Sequence, residues 1–212
     1  MAVDANWTVL PRVGLGQLEF GMSSAEVDAL SDVYGAITGR GNDRVPDDIL
    51  HETLEMFGNA MSDEEKRAFV AAYVDNGPSV DGVTEIRGNP GLVLRYEADR
   101  LVEIMPAVTQ RPLFLDGTDI FSLRELDPLA LLERLNESPG RYTDTEAAFD
   151  NLAISLEGFC ITDPAAGVRT LDEADERFQE RTVTVRPSPY LPEREMDRSI
   201  LHSVTGGARR ER

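Results

Sequence analysis

His51-Glu52-Thr53-Leu54-Glu55 is the stretch whose residue types and spacing come nearest to a catalytic pattern. A zinc helix of the His-Glu-x-x-His kind needs two imidazoles four residues apart, so that successive turns aim both at one metal while the glutamate serves as base. Here the second position holds Glu55, and His202 is the only other histidine in the chain. No further residues stand at ligand spacing, so a surface helix is expected, with no metal and no cofactor. Cys160 is the single cysteine, which excludes an internal disulfide. It lies between Phe159 and Ile161 with no basic neighbour in sequence, the setting of a buried strand residue rather than an activated thiolate. Gly14-x-Gly16 lacks the third glycine of a dinucleotide fingerprint, because Glu19 stands in its place. No serine sits in a Gly-x-Ser-x-Gly elbow, and Asp81-Gly82 and Asp116-Gly117 are turn chemistry. The expectation is a protein that is not an enzyme. The enzymatic alternative is a hydrolase working through two carboxylates that only the fold could bring together.

What the chain has in excess is carboxylate. Its formal net charge is −18 over 212 residues, and residues 43–85 alone hold eleven acidic side chains against three basic ones. Part of that excess has a local purpose. Asp63, Glu64 and Glu65 follow the helix-capping residue Ser62, where each favours the helix dipole by about 0.3–1 kcal/mol. Asp48, Glu52 and Glu55 have no such purpose. At spacings of four and three they form a stripe opposite Leu50, Leu54 and Phe57, with no cation between them. Like charges so placed cost the helix roughly 0.2–0.5 kcal/mol per pair. Such a stripe is either a solvated face or the footprint of a basic partner. Asp48, Glu52 and Glu55, with Asp47, Asp63 and Glu64 beside them, are therefore the candidate partner-binding residues. The same acidity argues against nucleic acid and anionic membranes, which need a positive footprint.

The elements that would carry these residues follow from periodicity. Leu18 and Phe20 alternate as a short strand, Gly21 turns, and Ser23 with Glu26 forms a capping box for a helix buried through Val27, Leu30, Val33 and Tyr34 and ended by Gly35. Residues 46–58 and 62–74 read as two helices, the second with an apolar face of Phe69, Val70, Tyr73 and Val74. The period then changes to two: residues 91–96 and 100–105 form a β-hairpin turning at Ala98-Asp99. A strand at 112–115, a helix at 128–135, strands at 147–149 and 152–161 and a last strand at 181–186 follow. The fold class is α+β: an antiparallel sheet with helices on one face, built from two strand-helix-strands repeats, plus an inserted helical hairpin. Residues 1–190 are expected to be a single domain with the helical insertion at about 43–80, and residues 191–212 a short C-terminal helix and flexible tail. The first residues lack a basic region followed by an apolar core, and no apolar run reaches the roughly 20 residues of a membrane span. A cytoplasmic protein is expected.

The turn Leu18-Glu19-Phe20-Gly21-Met22-Ser23, followed by Val27 and Leu30, resembles the repeat unit of β-lactamase-inhibitor-protein-like and SmpA/OmlA-type outer-membrane assembly lipoprotein domains, as in bacterial immunity-type proteins. The resemblance covers residues 12–35 and, more loosely, 86–161. It implies a scaffold that binds other proteins through a sheet face and implies no catalysis. No lipobox cysteine precedes the domain, and the 43–85 insertion is not part of the small repeat. Together with the acidic stripe, the resemblance leads to an immunity-type protein that inhibits a cognate toxin, or binds another basic protein. A non-enzymatic adaptor or housekeeping protein, acidic only for solubility, is the alternative.

Overall fold

Nine antiparallel strands form the central sheet of the computed structural model, which describes residues 3–56, 60–89, 91–107, 112–163, 167–191 and 198–206. The chain enters through a small three-stranded sheet, β1 (Val9–Leu10), β2 (Gly14–Leu15) and β3 (Leu18–Glu19). Gly16 has a left-handed φ of 58°, and a Cβ there would lie 2.3 Å from the Asn6 carbonyl oxygen, so this tight turn requires glycine. Two short helices follow, α1 (Ser24–Asp28) and α2 (Ser31–Tyr34), then β4 (Ile37–Asn42). The expected capping box is present: the Ser23 hydroxyl accepts from the Glu26 amide while the Glu26 carboxylate accepts from the Ser23 amide. The single helix expected over this stretch is broken at Leu30, whose backbone leaves the helical region.

The helical insertion, α3 (Asp47–Met56) and α4 (Asp63–Asn76), lies between β4 and β5 (Gly82–Arg87), two strands that pair directly with each other. β6 (Leu92–Glu97) and β7 (Arg100–Met105) form the expected hairpin, with Ala98 and Asp99 both at positive φ as a two-residue turn of primed type requires. The second half repeats this plan. A ribbon of β8 (Phe114–Leu115) and β9 (Thr118–Asp119) leads to α5 (Asp127–Asn136), followed by β10 (Gly140–Thr143), β11 (Glu146–Phe149) and β12 (Ile154–Glu157). A separate ribbon, β13 (Cys160–Asp163) and β14 (Gly167–Thr170), and the short α6 (Glu176–Gln179) precede β15 (Thr182–Val185).

The strand order, β16-β10-β11-β12-β15-β7-β6-β5-β4, is two four-stranded meanders joined by their last strands, β15 against β7, with β16 added at one end. Each meander follows its own helical segment, so the two-unit plan is visible in the sheet. Core side chains come from the helix-covered face: Leu92, Leu94 and Tyr96 of β6, Ile104 of β7, Tyr142 of β10, Phe149 of β11 and Leu156 of β12 share one cluster with Val27, Tyr34, Leu129 and Leu132 of the helices. Neither meander alone could bury this face, which is why one sheet is shared.

Three expectations need correction. The C-terminal region was expected to be a short helix, but Ile200–His202 is a strand, β16, that pairs with β10 along Gly140–Tyr142. The chain beyond residue 190 therefore contributes to the sheet, and residues 181–186 are not its last strand. The stretch 152–161 is two strands in different sheets, separated at Gly158 with its φ of 78°. Phe57, Gly58, residues 192–197 and the tail from Gly207 lie outside the described residues. Among the described residues, no helix is long and apolar enough to cross a membrane.

Candidate partner-binding surface

The acidic stripe sits where helix periodicity puts it. Leu50 and Leu54 of α3 are buried, while Asp48, Glu52 and Glu55 are exposed. Asp47 opens the same helix, and its side chain lies outside the described residues. Neither Leu50 nor Leu54 belongs to the main core. Leu54 instead shares a cleft of about 550 Å³ with Val70 and Ala71 of α4. The hairpin thus has its own small apolar seam. Its outer surface is unusually apolar for an exposed helix pair: Met56 is 87% exposed, and Ile49, Phe69 and Val74 are each close to half exposed. Phe69 and Val74, expected in the apolar face of α4, are only half covered.

The structure divides the six candidate residues into groups. Asp48 and Glu52 do not line the interhelical cleft, whereas Glu55 and Asp63 meet at its lip with Lys66, Arg67 and His51. The stripe is therefore uncompensated at its N-terminal end and shares its C-terminal end with two cations. Asp63 and Glu64 are exposed in the first turn of α4, while Glu65 belongs to the cap: its carboxylate accepts from the Ser62 amide and hydroxyl, both at 2.7 Å, which holds it below the usual glutamate range. None of Asp48, Glu52, Glu55, Asp63 and Glu64 makes an ion pair among the described residues.

A second surface was not anticipated. On the sheet face opposite the helices, a groove of about 890 Å³ runs between the end of the hairpin (Gly77–Ser79) and a proline-bracketed segment, Arg186–Tyr190. Its floor is a set of paired charges. Arg95 Nε donates to Asp43 at 2.7 Å and its Nη2 to Glu97 at 2.8 Å; Asp43 also accepts from Thr84 Oγ1 at 2.5 Å. Farther along, Arg186 pairs with Glu103, donates to Ser155 Oγ at 3.3 Å and lies over the Tyr190 ring. The Tyr190 carbonyl in turn accepts from Arg141, which also pairs with Asp150. Periodicity does identify Arg95, Glu97 and Glu103 as the polar phase of a hairpin. Their pairing with Asp43 and Arg186, 52 and 83 residues away in sequence, has no local signal.

The two histidines are held apart, and the cysteine is buried. His51 is on α3 at the β4–β5 end of the sheet, and His202 is on β16 at the other, against the Tyr142 ring. Among the described residues, no group of three or more histidine, cysteine, aspartate or glutamate side chains could hold a metal ion. Cys160 is fully buried, and burial, with Glu157 nearby, pushes its thiol up to about 12. The most deeply placed charges, Glu85 and Arg87, are both fully buried and pair at 2.9 Å beneath α1. Glu85 also accepts from Ser24 Oγ at 2.6 Å and pairs with Arg40 at 3.1 Å, while Arg87 reaches Asp28 at 3.3 Å. This network bolts α1 to β5. Comparison with family models, curated proteins and solved structures finds no match.

Proposed function

We propose that this chain is a non-enzymatic binding protein of the immunity type, which inhibits a cognate bacterial toxin by covering a basic cleft with its α3–α4 hairpin. The observation that carries the reading is the composition of that hairpin's surface. Unpaired carboxylates of Asp48 and Glu52 flank solvent-exposed Ile49 and Met56 on a helix pair that, among the described residues, lends nothing to the main core. Exposed apolar anchors beside unpaired acidic side chains suit a protein interface. The anchors supply most of the affinity, and the charge steers encounter with a partner of opposite sign. A toxin acting on nucleic acid presents such a basic cleft. The likeness of the Leu18–Ser23 turn to inhibitor-type repeats points the same way, and the groove flanking the hairpin would extend the contact area onto the sheet.

The test is affinity capture from the source cell with tagged protein, followed by binding kinetics on the purified partner. The expected result is a one-to-one complex whose association rate falls steeply with salt. Replacing Asp48, Glu52 and Glu55 together by lysine should slow association by about one to two orders of magnitude at low salt while changing dissociation much less. Met56→Ala should do the reverse. If the triple replacement leaves association and neutralisation unchanged, the hairpin is not the interface.

A further inference from the structure

We propose that the free edge of β4 is a docking edge for an extended, lysine- or arginine-bearing segment of a partner protein, which would add a tenth strand to the sheet. The inference rests on the sheet edge and not on the α3 stripe. β4 terminates the nine-stranded sheet and, among the described residues, pairs on one side only, with β5. Exposed sheet edges present unpaired N–H and C=O groups, and proteins blunt them with lysine, proline, inward-pointing charge or extreme shortness. At the opposite end of the sheet, β16 is three residues long, whereas β4 is six.

β4 carries few of these protections: one inward-turned charge and one register irregularity. Its sequence, Ile-Thr-Gly-Arg-Gly-Asn, has no proline or lysine. Its one charge, Arg40, is drawn to the helix-covered face, where it pairs with Glu85 and donates to Ser24. A register irregularity occurs between Ile37 and Gly39, where Thr38 donates to the Ile86 carbonyl instead of continuing the ladder; from Gly39 to Asn42 the pairing is regular.

On the face opposite the helices the edge is bare. Gly39 and Gly41 lie opposite Ile86 and Thr84 of β5. The nearest atoms to a Cβ built on Gly39 would be those of the Ile86 side chain, at 3.5 Å, and one on Gly41 would meet nothing within 4 Å. As a result Ile86 is 43% exposed. An added strand would satisfy the backbone edge, and its apolar side chains on that face would cover Ile86. This is β-augmentation, in which main-chain bonds give affinity and alternate side chains give specificity.

Charge selects the occupant. The chain passes from β4 directly into the 43–85 segment with its eleven acidic and three basic side chains, and the whole protein carries −18. A second copy would bring an equal charge to the same edge, so self-pairing is opposed, whereas a basic strand is attracted.

Three probes test this on the full ¹⁵N-labelled chain: an acetylated peptide of alternating lysine and valine, its twin N-methylated at every residue, and a glutamate–valine peptide. The lysine peptide should shift the amide resonances of Ile37–Asn42 and leave Ile200–His202 unmoved. The N-methylated twin keeps the charge but cannot form a ladder, so it should bind at least about tenfold more weakly. The glutamate peptide should not bind. Equal binding of the N-methylated twin, or shifts confined to α3, would overturn the proposal without touching the immunity reading. Concentration-dependent self-association that shifts Ile37–Asn42 in the absence of peptide would overturn it too, by making the occupant a second copy.

Discussion

Removing one member of the Glu85–Arg87 pair should cost the protein far more than removing both. Each side chain is fully buried, and Arg87 Nε and Nη2 both donate to one Glu85 oxygen, Oε2, at 3.1 and 2.9 Å. Arg87→Met leaves Glu85 buried but still served by Ser24 and the half-exposed Arg40, which places its cost at the lower end, about 3 kcal/mol. Glu85→Leu is worse. It strands Arg87 with only Asp28, a partner 3.3 Å away whose side chain is 60% exposed, which places its cost near the upper end, about 5 kcal/mol. If these losses were additive, the double variant would lose about 8 kcal/mol, comparable with the entire stability of a typical domain. The double variant, however, has no stranded charge. Arg40 reaches water on its own, and leucine and methionine fill the volume beneath α1. Its expected loss is under about 2 kcal/mol, so the coupling energy should be about 6 kcal/mol. Urea denaturation of the wild type, both single variants and the double variant gives the cycle directly, with unchanged slopes as the check on two-state behaviour. A double variant as unstable as the sum of the singles would refute the reasoning, because the cost would then be packing and not charge.

Two further outcomes follow from single buried groups. Burial raises the Glu133 carboxyl, but hydrogen bonds from Ser203, Thr205 and the Val204 and Thr205 amides outweigh it, and the group titrates below the ordinary glutamate value. A depressed carboxyl contributes stability above its unfolded pKa of about 4.3 and loses it as pH falls through the lower folded value. Glu133→Gln should therefore cost roughly 1–3 kcal/mol at neutral pH and much less in acid, and should expose the β16 amides to hydrogen exchange; equal losses at both pH values would disprove the linkage. The Cys160 thiol, raised to about 12 by burial, should resist a disulfide reagent in the native protein at about pH 8 and react at the rate of unfolding. Labelling at the rate of a free thiol would contradict its placement.

Much of the local structure is legible because its causes are local. The Ser23–Glu26 capping box, the Ser62 cap, the Ala98-Asp99 turn and the α3 and α5 helices rest on residues within one or two turns of each other. β5 escapes detection for a physical reason: its core-facing phase carries Glu85 and Arg87, so the alternation that marks a strand is inverted there. β4 escapes because two glycines and an exposed face leave it no hydrophobic pattern. β16 is too short to show one, and only its register against β10 makes it a strand.

The candidate site divides in the same way. By itself the sequence determined that α3 carries an unrelieved acidic stripe, because helix periodicity alone places Asp48, Glu52 and Glu55 opposite Leu50 and Leu54. It also determined that Cys160 is buried, since an apolar strand leaves a thiol nowhere else to go. Only the tertiary structure decided that the stripe stands on a hairpin outside the main core, and that Glu55 shares a cleft with Lys66 and Arg67. The paired charges of the groove and the bare edge of β4 were decided there as well. These depend on which strands become neighbours across 50 to 80 residues of chain. That choice is made by burying one shared sheet face, a free energy that belongs to the whole sheet and to no single segment.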